Sequence, residues 1–305
     1  MKKIIAIISA VSLLLALAAC GAKNDDNTTT SQAAPETTTA ADTVTEPASE
    51  ADSTEETDTT DESGEDKSEE STEEGEKKKP ETKAEILAAY AEVMNQVKKD
   101  APGFTKVEYQ ELPEEGRVIT GGKTLLSAGL SVASNFMTSK EDAEKKPDVY
   151  PKGNDMNDFP IRNTPKGCML EDPDFLKVAK YEELPNGNVR ITLVTGTEKN
   201  PEPAAHGAST APSKTGGIIT PISKKEIDEK LNGGIVSAVF KDVNYSLTFH
   251  DCESVLTYNP ENNHVVSLTQ TTRVSISGSG KSLGTTLAID NQDFVNHKII
   301  TDIKY

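Results

Sequence analysis

The sequence predicts an α+β domain, with N-terminal amphipathic helices packed on a largely antiparallel β-sheet for which strong curvature is one expectation. Helical periodicity is gathered mostly ahead of the sheet signals, and the strands then follow one another through short turns. Composition confines this domain to residues 82–305. The segment before it, Gly21 to Glu81, holds Val44 as its only large aliphatic residue and cannot bury enough apolar surface to offset the entropy of ordering.

The first helix is expected from Thr82. Thr82-Lys83-Ala84-Glu85 has the capping-box pattern, and Ile86, Leu87, Tyr90, Val93, Met94 and Val97 recur at helical spacing behind it. Ala101-Pro102-Gly103 ends that run near Asp100. Phe104 to Leu112 reads as a strand. Leu125, Leu126, Gly129, Leu130, Ala133, Phe136 and Met137 mark a second amphipathic helix. Residues 139–174 are rich in Pro, Asp, Asn and Lys and read as a long irregular connection. Val178–Leu184 and Val189–Val194 flank Pro185-Asn186-Gly187-Asn188, a strong hairpin signal. Gly196 to Gly217 reads as a second loop. Ser223-Lys224-Lys225-Glu226 repeats the capping-box pattern and opens a short helix stopped at Asn232-Gly233-Gly234. Strands are expected at Val236–Phe240, Val243–Phe249, Val255–Tyr258, His264–Ile276, Leu283–Ile289 and Ile299–Lys304.

Charge is distributed unevenly. The chain carries a formal −18: residues 1–20 supply +2 and residues 21–81 supply −15 through 20 acidic residues and 5 lysines, leaving −5 for residues 82–305. The acidic, Ser/Thr-rich segment reads as a self-repelling disordered spacer. Its 61 residues would reach about 200 Å fully extended and span about 45 Å as a flexible coil. A mildly acidic domain lacks the basic face that nucleic-acid backbones require, so no nucleic-acid partner is expected.

The chain opens on Met1-Lys2-Lys3 and an apolar run from Ile4 to Ala19, broken only by Ser9 and Ser12. A positive start before a short apolar run is the pattern of an export signal, and the run is shorter than a membrane span requires. It ends in Leu17-Ala18-Ala19-Cys20-Gly21, which resembles the lipobox of bacterial lipoproteins. That resemblance implies a signal peptide over residues 1–19, cleavage before Cys20 and a diacylglycerol on the Cys20 thiol. It also implies an acidic linker over 20–81, anchored in the cell membrane, and a domain over 82–305 on the extracytoplasmic face. The element order of that domain is similar to two folds: the lipoprotein lipid carriers, whose half-barrel sheet curls around helices, and a cone-shaped helix-and-sheet fold. Asn157-Asp158-Phe159-Pro160, with Asn186-Gly187 and Asn200-Pro201, also resembles a group of surface lipoproteins of Gram-positive anaerobes. No activity is carried over from that group.

Candidate chemistry is sparse. With Cys20 lipidated, Cys168 and Cys252 remain, either as one disulfide closing a loop of about 84 residues or as two buried thiols. His250-Asp251-Cys252-Glu253 is the densest set of metal-ligand types, but it lacks further ligands at metal-binding spacing and reads as a strand end entering a polar turn. Gly278-Ser279-Gly280-Lys281-Ser282 looks like the end of a phosphate-binding loop, but Ser275 stands where the pattern needs Gly; it reads as a hairpin turn. Asn154-Asp155-Met156-Asn157-Asp158 looks like part of a calcium loop, but Phe159 and Pro160 stand where oxygen ligands are required; it reads as a solvated loop. No catalytic residue, metal or cofactor is implied. The expected function is a non-catalytic binding domain on a flexible tether, taking an apolar ligand or a surface protein partner. A cell-wall or glycan hydrolase using dispersed carboxylates, and a structural envelope protein, are the alternatives.

Overall fold

The computed structural model describes residues 79–134, 137–231, 240–282 and 284–305. The residues expected to form an export signal, Cys20 and nearly all of the expected acidic spacer lie outside them. So do Phe136, Leu283 and residues 232–239, where a helix stop and most of one expected strand fall.

Helix α1 spans Lys83–Asp100. Both halves of its capping box form: Thr82 Oγ1 accepts from the Glu85 N–H at 3.2 Å, and Glu85 Oε2 accepts from the Thr82 N–H at 2.9 Å. At its far end Ala101 takes a left-handed conformation and donates to the Val97 carbonyl, and Pro102 follows. All six apolar positions expected to face the core are buried, together with Lys98.

Strand β1 (Gly103–Glu111) follows, then β2 (Val118–Thr120), helix α2 (Lys123–Ser134), helix α3 (Lys140–Lys145) and β3 (Asp148–Tyr150). The connection expected to be wholly irregular therefore contains a short helix and a sheet strand. A hairpin joins β4 (Leu176–Glu183) to β5 (Val189–Thr195). Gly187 turns it with φ of 83°, a value open to glycine at little cost. After β6 (Glu198–Lys199) and helix α4 (Lys224–Leu231) come β7 (Phe240–Phe249), β8 (Glu253–Asn259), β9 (His264–Ser282) and β10 (Thr285–Lys304).

These residues form mostly antiparallel sheet with few helices. The strand order is β3-β1-β10-β9-β8-β5-β4, and the sheet is open, ending on β3 and β4. Its spine is the pair β9 and β10, each long enough to serve two neighbours. One half of β9 pairs with β8 and the other with β7, while β10 pairs with β1 along one half and β2 along the other.

Two expectations are corrected along this spine. The strands expected at Leu283–Ile289 and Ile299–Lys304 are one strand. The polar run Asp290-Asn291-Gln292-Asp293 hides their continuity in the sequence. In the structure the ladder crosses it through an irregularity at Asp290 and Asn291, where Asn291 has φ of 54° and its N–H bonds to Ser277 Oγ. Gly278–Ser282, expected as a hairpin turn, is sheet. It is flanked by β7 and β10, so Gly278 and Gly280 serve close strand approach; a Cβ on Gly278 would lie 2.9 Å from that of Tyr245.

The face of the sheet that carries Ile191, Leu193, Leu256 and Leu268 packs under α1 in one apolar cluster with Tyr90, Val93, Met94 and Val97. Gly167 lets the following segment lie directly on the helix: a Cβ there would come 2.3 Å from the Met94 carbonyl oxygen. Replacing Thr82 by Ala removes the cap of α1. The variant is expected to unfold with about 1 kcal/mol less stability, read by chemical denaturation, and an unchanged midpoint would show that α1 is held by packing alone.

Candidate functional site

Alternate residues of a strand share one face, and the register brings three strands' worth together beside α1. Strand β1 presents Lys106, Glu108 and Gln110, β10 presents Phe294, Asn296 and Lys298, and β9 presents Gln270, Thr272 and Val274. Glu108 lies opposite Lys298, Lys298 opposite Gln270, and Gln270 opposite Ser254. Ser254 Oγ meets the Tyr90 hydroxyl of α1 at 2.7 Å, and Gln270 Nε2 donates to the Ile218 carbonyl at 3.1 Å. One polar row thus runs from β1 to a point beneath the helix. Beyond the helix the same face opens into a cleft of about 820 Å³. Its walls are β3, the loop carrying Asp158, Arg162 and Asn163, residues 202–206, residues 219–223 and the start of α4.

Lys106 is the hub of the cleft's charge. It is 3% exposed, and its ammonium lies 3.4 Å from Asp158, 3.5 Å from Asp148 and 3.8 Å from Glu108, with the Tyr150 ring 5.2 Å away. Burial pushes the Asp158 carboxyl up. The Lys106 charge, the 2.9 Å hydrogen bond donated by the Tyr150 hydroxyl and the Arg162 charge outweigh that, and hold it below the usual carboxylate range. Asn296 Nδ2 donates to Glu108 at 3.2 Å, and its Oδ1 accepts from Gln110 Nε2 at 2.9 Å, so the Glu108 side chain is fixed from a second direction.

The loop that brings Asp158 and Arg162 over β1 is clamped by α1. Lys98 donates to the carbonyls of Met156, Phe159 and Ile161 at 2.7, 2.7 and 2.8 Å. Phe159 packs edge-on against Phe104 of β1, and Phe104 stacks on Tyr150 of β3. Burial, with Lys298 acting in the same sense, pushes the Lys98 ammonium down to about 7, against the opposing charges of Asp155 and Asp158.

Two further cations border this network with donors that make no hydrogen bond among the described residues. Lys298 lines the cleft and makes no hydrogen bond among the described residues; burial lowers its pKa, with Glu108 opposing and Lys106 and Arg162 reinforcing. Arg162 Nε is buried without a hydrogen-bond partner, since its approach to Asp158 is 3.7 Å.

The residues singled out from the sequence are placed elsewhere, with one exception. Of the two alternatives left open for Cys168 and Cys252, the structure has the two buried thiols and not the bridge; both are free and buried. The Cys168 N–H is held by Asn95 of α1, whereas the Cys252 thiol, just before β8, points to the His250 and Arg273 carbonyls. Each sulfur therefore has a separate setting. Burial pushes the Cys168 thiol up to about 11. His250 and Asp251 form the polar turn between β7 and β8, where His250 Nδ1 lies 3.1 Å from Asp251 and Nε2 3.6 Å from Asp293. The exception is Asp158. Asn154 and Asp155 close local turns through the N–H groups of Met156 and Asn157, but Asp158 reaches the cleft and is no solvated loop residue. Lys106, Glu108, Asp148, Arg162 and Lys298 carried no motif. The one sequence signal among them is the alternation in Lys106-Val107-Glu108-Tyr109-Gln110, which by itself reads as a solvent-facing strand side.

Comparisons of the chain with protein-family models, with curated proteins and with solved structures gave no match.

The thiols offer a direct check. Chain purified without reductant is expected to resist a thiol-specific reagent while native and to expose Cys168 and Cys252 as titratable thiols in denaturant. Their absence from the count on unfolding would restore the disulfide.

Proposed function

We propose that this chain is a lipid-anchored protein of the extracytoplasmic membrane face. In this reading its α+β domain is a non-catalytic binding module at the end of an acidic spacer, and the cleft over β1, β10 and β9 holds a small polar ligand. The lipobox at Leu17–Cys20 supports the anchor. A preorganised charged cleft supports the binding role. Its side chains are fixed by one another, by the sheet register and by the Lys98 clamp, so little ordering is required when a ligand enters. A volume of about 820 Å³ suits a small molecule.

The cleft favours a polar ligand over the apolar one expected from element order. Burying a hydrocarbon against Lys106, Glu108, Asp158 and Lys298 would strip water from charges and return no hydrogen bond. It also weakens the hydrolase alternative. A general acid must hold its proton near neutral pH, and Asp158 is pushed the other way.

Cys20→Ala is expected to abolish incorporation of radiolabelled fatty acid and to release the chain from membranes; continued acylation would sink the anchor. Full-length chain purified under native conditions and then denatured is expected to release a small polar molecule near one per chain, identified by mass spectrometry. Thr272→Phe, which places a ring in the cleft, should abolish that yield. A co-purified lipid, or the same yield from the variant, would refute the cleft as the ligand site.

A further inference from the structure

The carboxylates of the cleft and its cations are not equally occupied. Glu108, Asp148 and Asp158 all converge on Lys106, and Asp158 and Glu108 each accept a further hydrogen bond, from Tyr150 and Asn296. Lys298 and Arg162 line the same space with donors left over. Lys298 stands one cross-strand step from Glu108, yet its ammonium makes no hydrogen bond among the described residues. Arg162 is positioned through its backbone, where its N–H donates to Thr220 Oγ1 at 2.9 Å. Its side chain has a buried Nε that no described atom satisfies. A buried donor without an acceptor costs on the order of 1–3 kcal/mol, more when charged. Lys106, Lys298 and Arg162 match Glu108, Asp148 and Asp158 in number, so what the cleft lacks is an acceptor for the Arg162 and Lys298 donors.

We propose that Lys298 and Arg162 form an oxyanion subsite, taking the carboxylate or phosphate group of the small molecule that the cleft holds. The inference rests on the cleft being a ligand site and names the chemistry of that ligand. An oxyanion there would accept from the Arg162 guanidinium, whose planar fork suits two oxygens at once, and from the Lys298 ammonium as a point charge. Burial first, and then the like charges of Lys106 and Arg162, push the Lys298 ammonium down, and an anion beside it would favour its charged form. Thr272, on the strand beside that of Lys298, offers a hydroxyl to the rest of the molecule. The loop over the opening is tethered to the same wall, since the Gly207 N–H donates to the Asn163 carbonyl at 2.8 Å. Lys106 is excluded as the anion's principal partner, because three carboxylates already surround it.

The test is titration calorimetry of the full chain in non-ionic detergent with inorganic phosphate and, separately, with acetate. One of the two is expected to bind at a single site, and which one binds distinguishes a phosphate ligand from a carboxylate ligand. Lys298→Gln and Arg162→Gln are each expected to weaken that binding by about tenfold or more, the loss of one charge-assisted contact. Arg162→Lys should lose less than Arg162→Gln, because the charge is kept and only the fork is lost. Lys281→Gln, at an exposed pair with Asp242, should bind as the parent does. Thermal unfolding of each variant guards against misfolding, and a folded Arg162→Lys suffices if a Gln variant is unstable. Failure of both anions to bind, or equal affinity in the folded Lys298 and Arg162 variants, overturns the subsite. Release of a neutral or purely cationic molecule from the native cleft would overturn the subsite and leave the binding reading standing. No released molecule and no anion binding would remove both.

Discussion

A lysine ammonium that loses its water must find replacement charge or give up its proton. Lys106, on β1 and 3% exposed, is surrounded by Asp158, Asp148 and Glu108. The carboxylates come from three separate places in the chain: Glu108 two residues along the same strand, Asp148 across the β1–β3 ladder, and Asp158 from the loop beyond β3. Such an assembly is poor evidence of stability, because desolvation offsets most of the attraction. Its effect is to fix geometry. Strand β3 and the loop after it are tied to β1 by charge and by the Phe104 packing with Tyr150 and Phe159, and the cleft exists because that loop stands over the sheet.

Lys98 does the same work from the other side. It sits in the last turn of α1, where a cation is also favoured by the helix dipole. It donates to three carbonyls of the 156–161 loop, of which those of Met156 and Ile161 also accept from the Phe159 N–H and the Thr164 hydroxyl. Helix, loop and sheet are thereby connected through two buried ammonium groups. Along the sheet the connection continues without charge, through Gln270 and Ser254 to the Tyr90 hydroxyl. Burial pushes the Tyr90 phenol well above its ordinary range, so that hydroxyl stays a neutral hydrogen-bonding group at any physiological pH.

Local structure was legible in the sequence where the signal is local. Thr82 and Glu85 read as a capping box and form one; Ile86 through Val97 read as a core stripe and are buried; Asn186-Gly187 reads as a turn and is one. Legibility stops where tertiary pairing decides. Asp290–Asp293 looks like a loop because no local pattern shows that β9 runs alongside to carry the strand through a bulge. The site was hidden for a related reason. Lys106, Glu108 and Gln110 alternate with Val107 and Tyr109, so the period of two places the polar set on a watery face. Only the register of β1 on β10 and of β10 on β9 shows that this face meets a cleft. Asp158 and Arg162 come from an irregular segment whose position depends on Lys98, 58 to 63 residues away from the carbonyls it binds.

The sign of the whole domain and the sign of the proposed subsite differ, and distance decides which matters. Residues 82–305 carry a net −5, and the sequence before them is more acidic still. At physiological salt, exposed charges more than about 8 Å apart are largely screened from one another. A small anion approaching the cleft therefore feels little of that net charge. Once inside it is close to Lys298 and Arg162, and a pair about 4 Å apart near a protein surface interacts by about 4 kcal/mol. The nearest acidic groups act at comparable range, and it takes Lys106, Lys298 and Arg162 together to match Asp158, Asp148 and Glu108. This wall of the cleft is thus close to neutral, and an anion there would be held by unsatisfied donors and not by an excess of charge. Lys106 offsets part of the repulsion that the neighbouring carboxylates would exert on it.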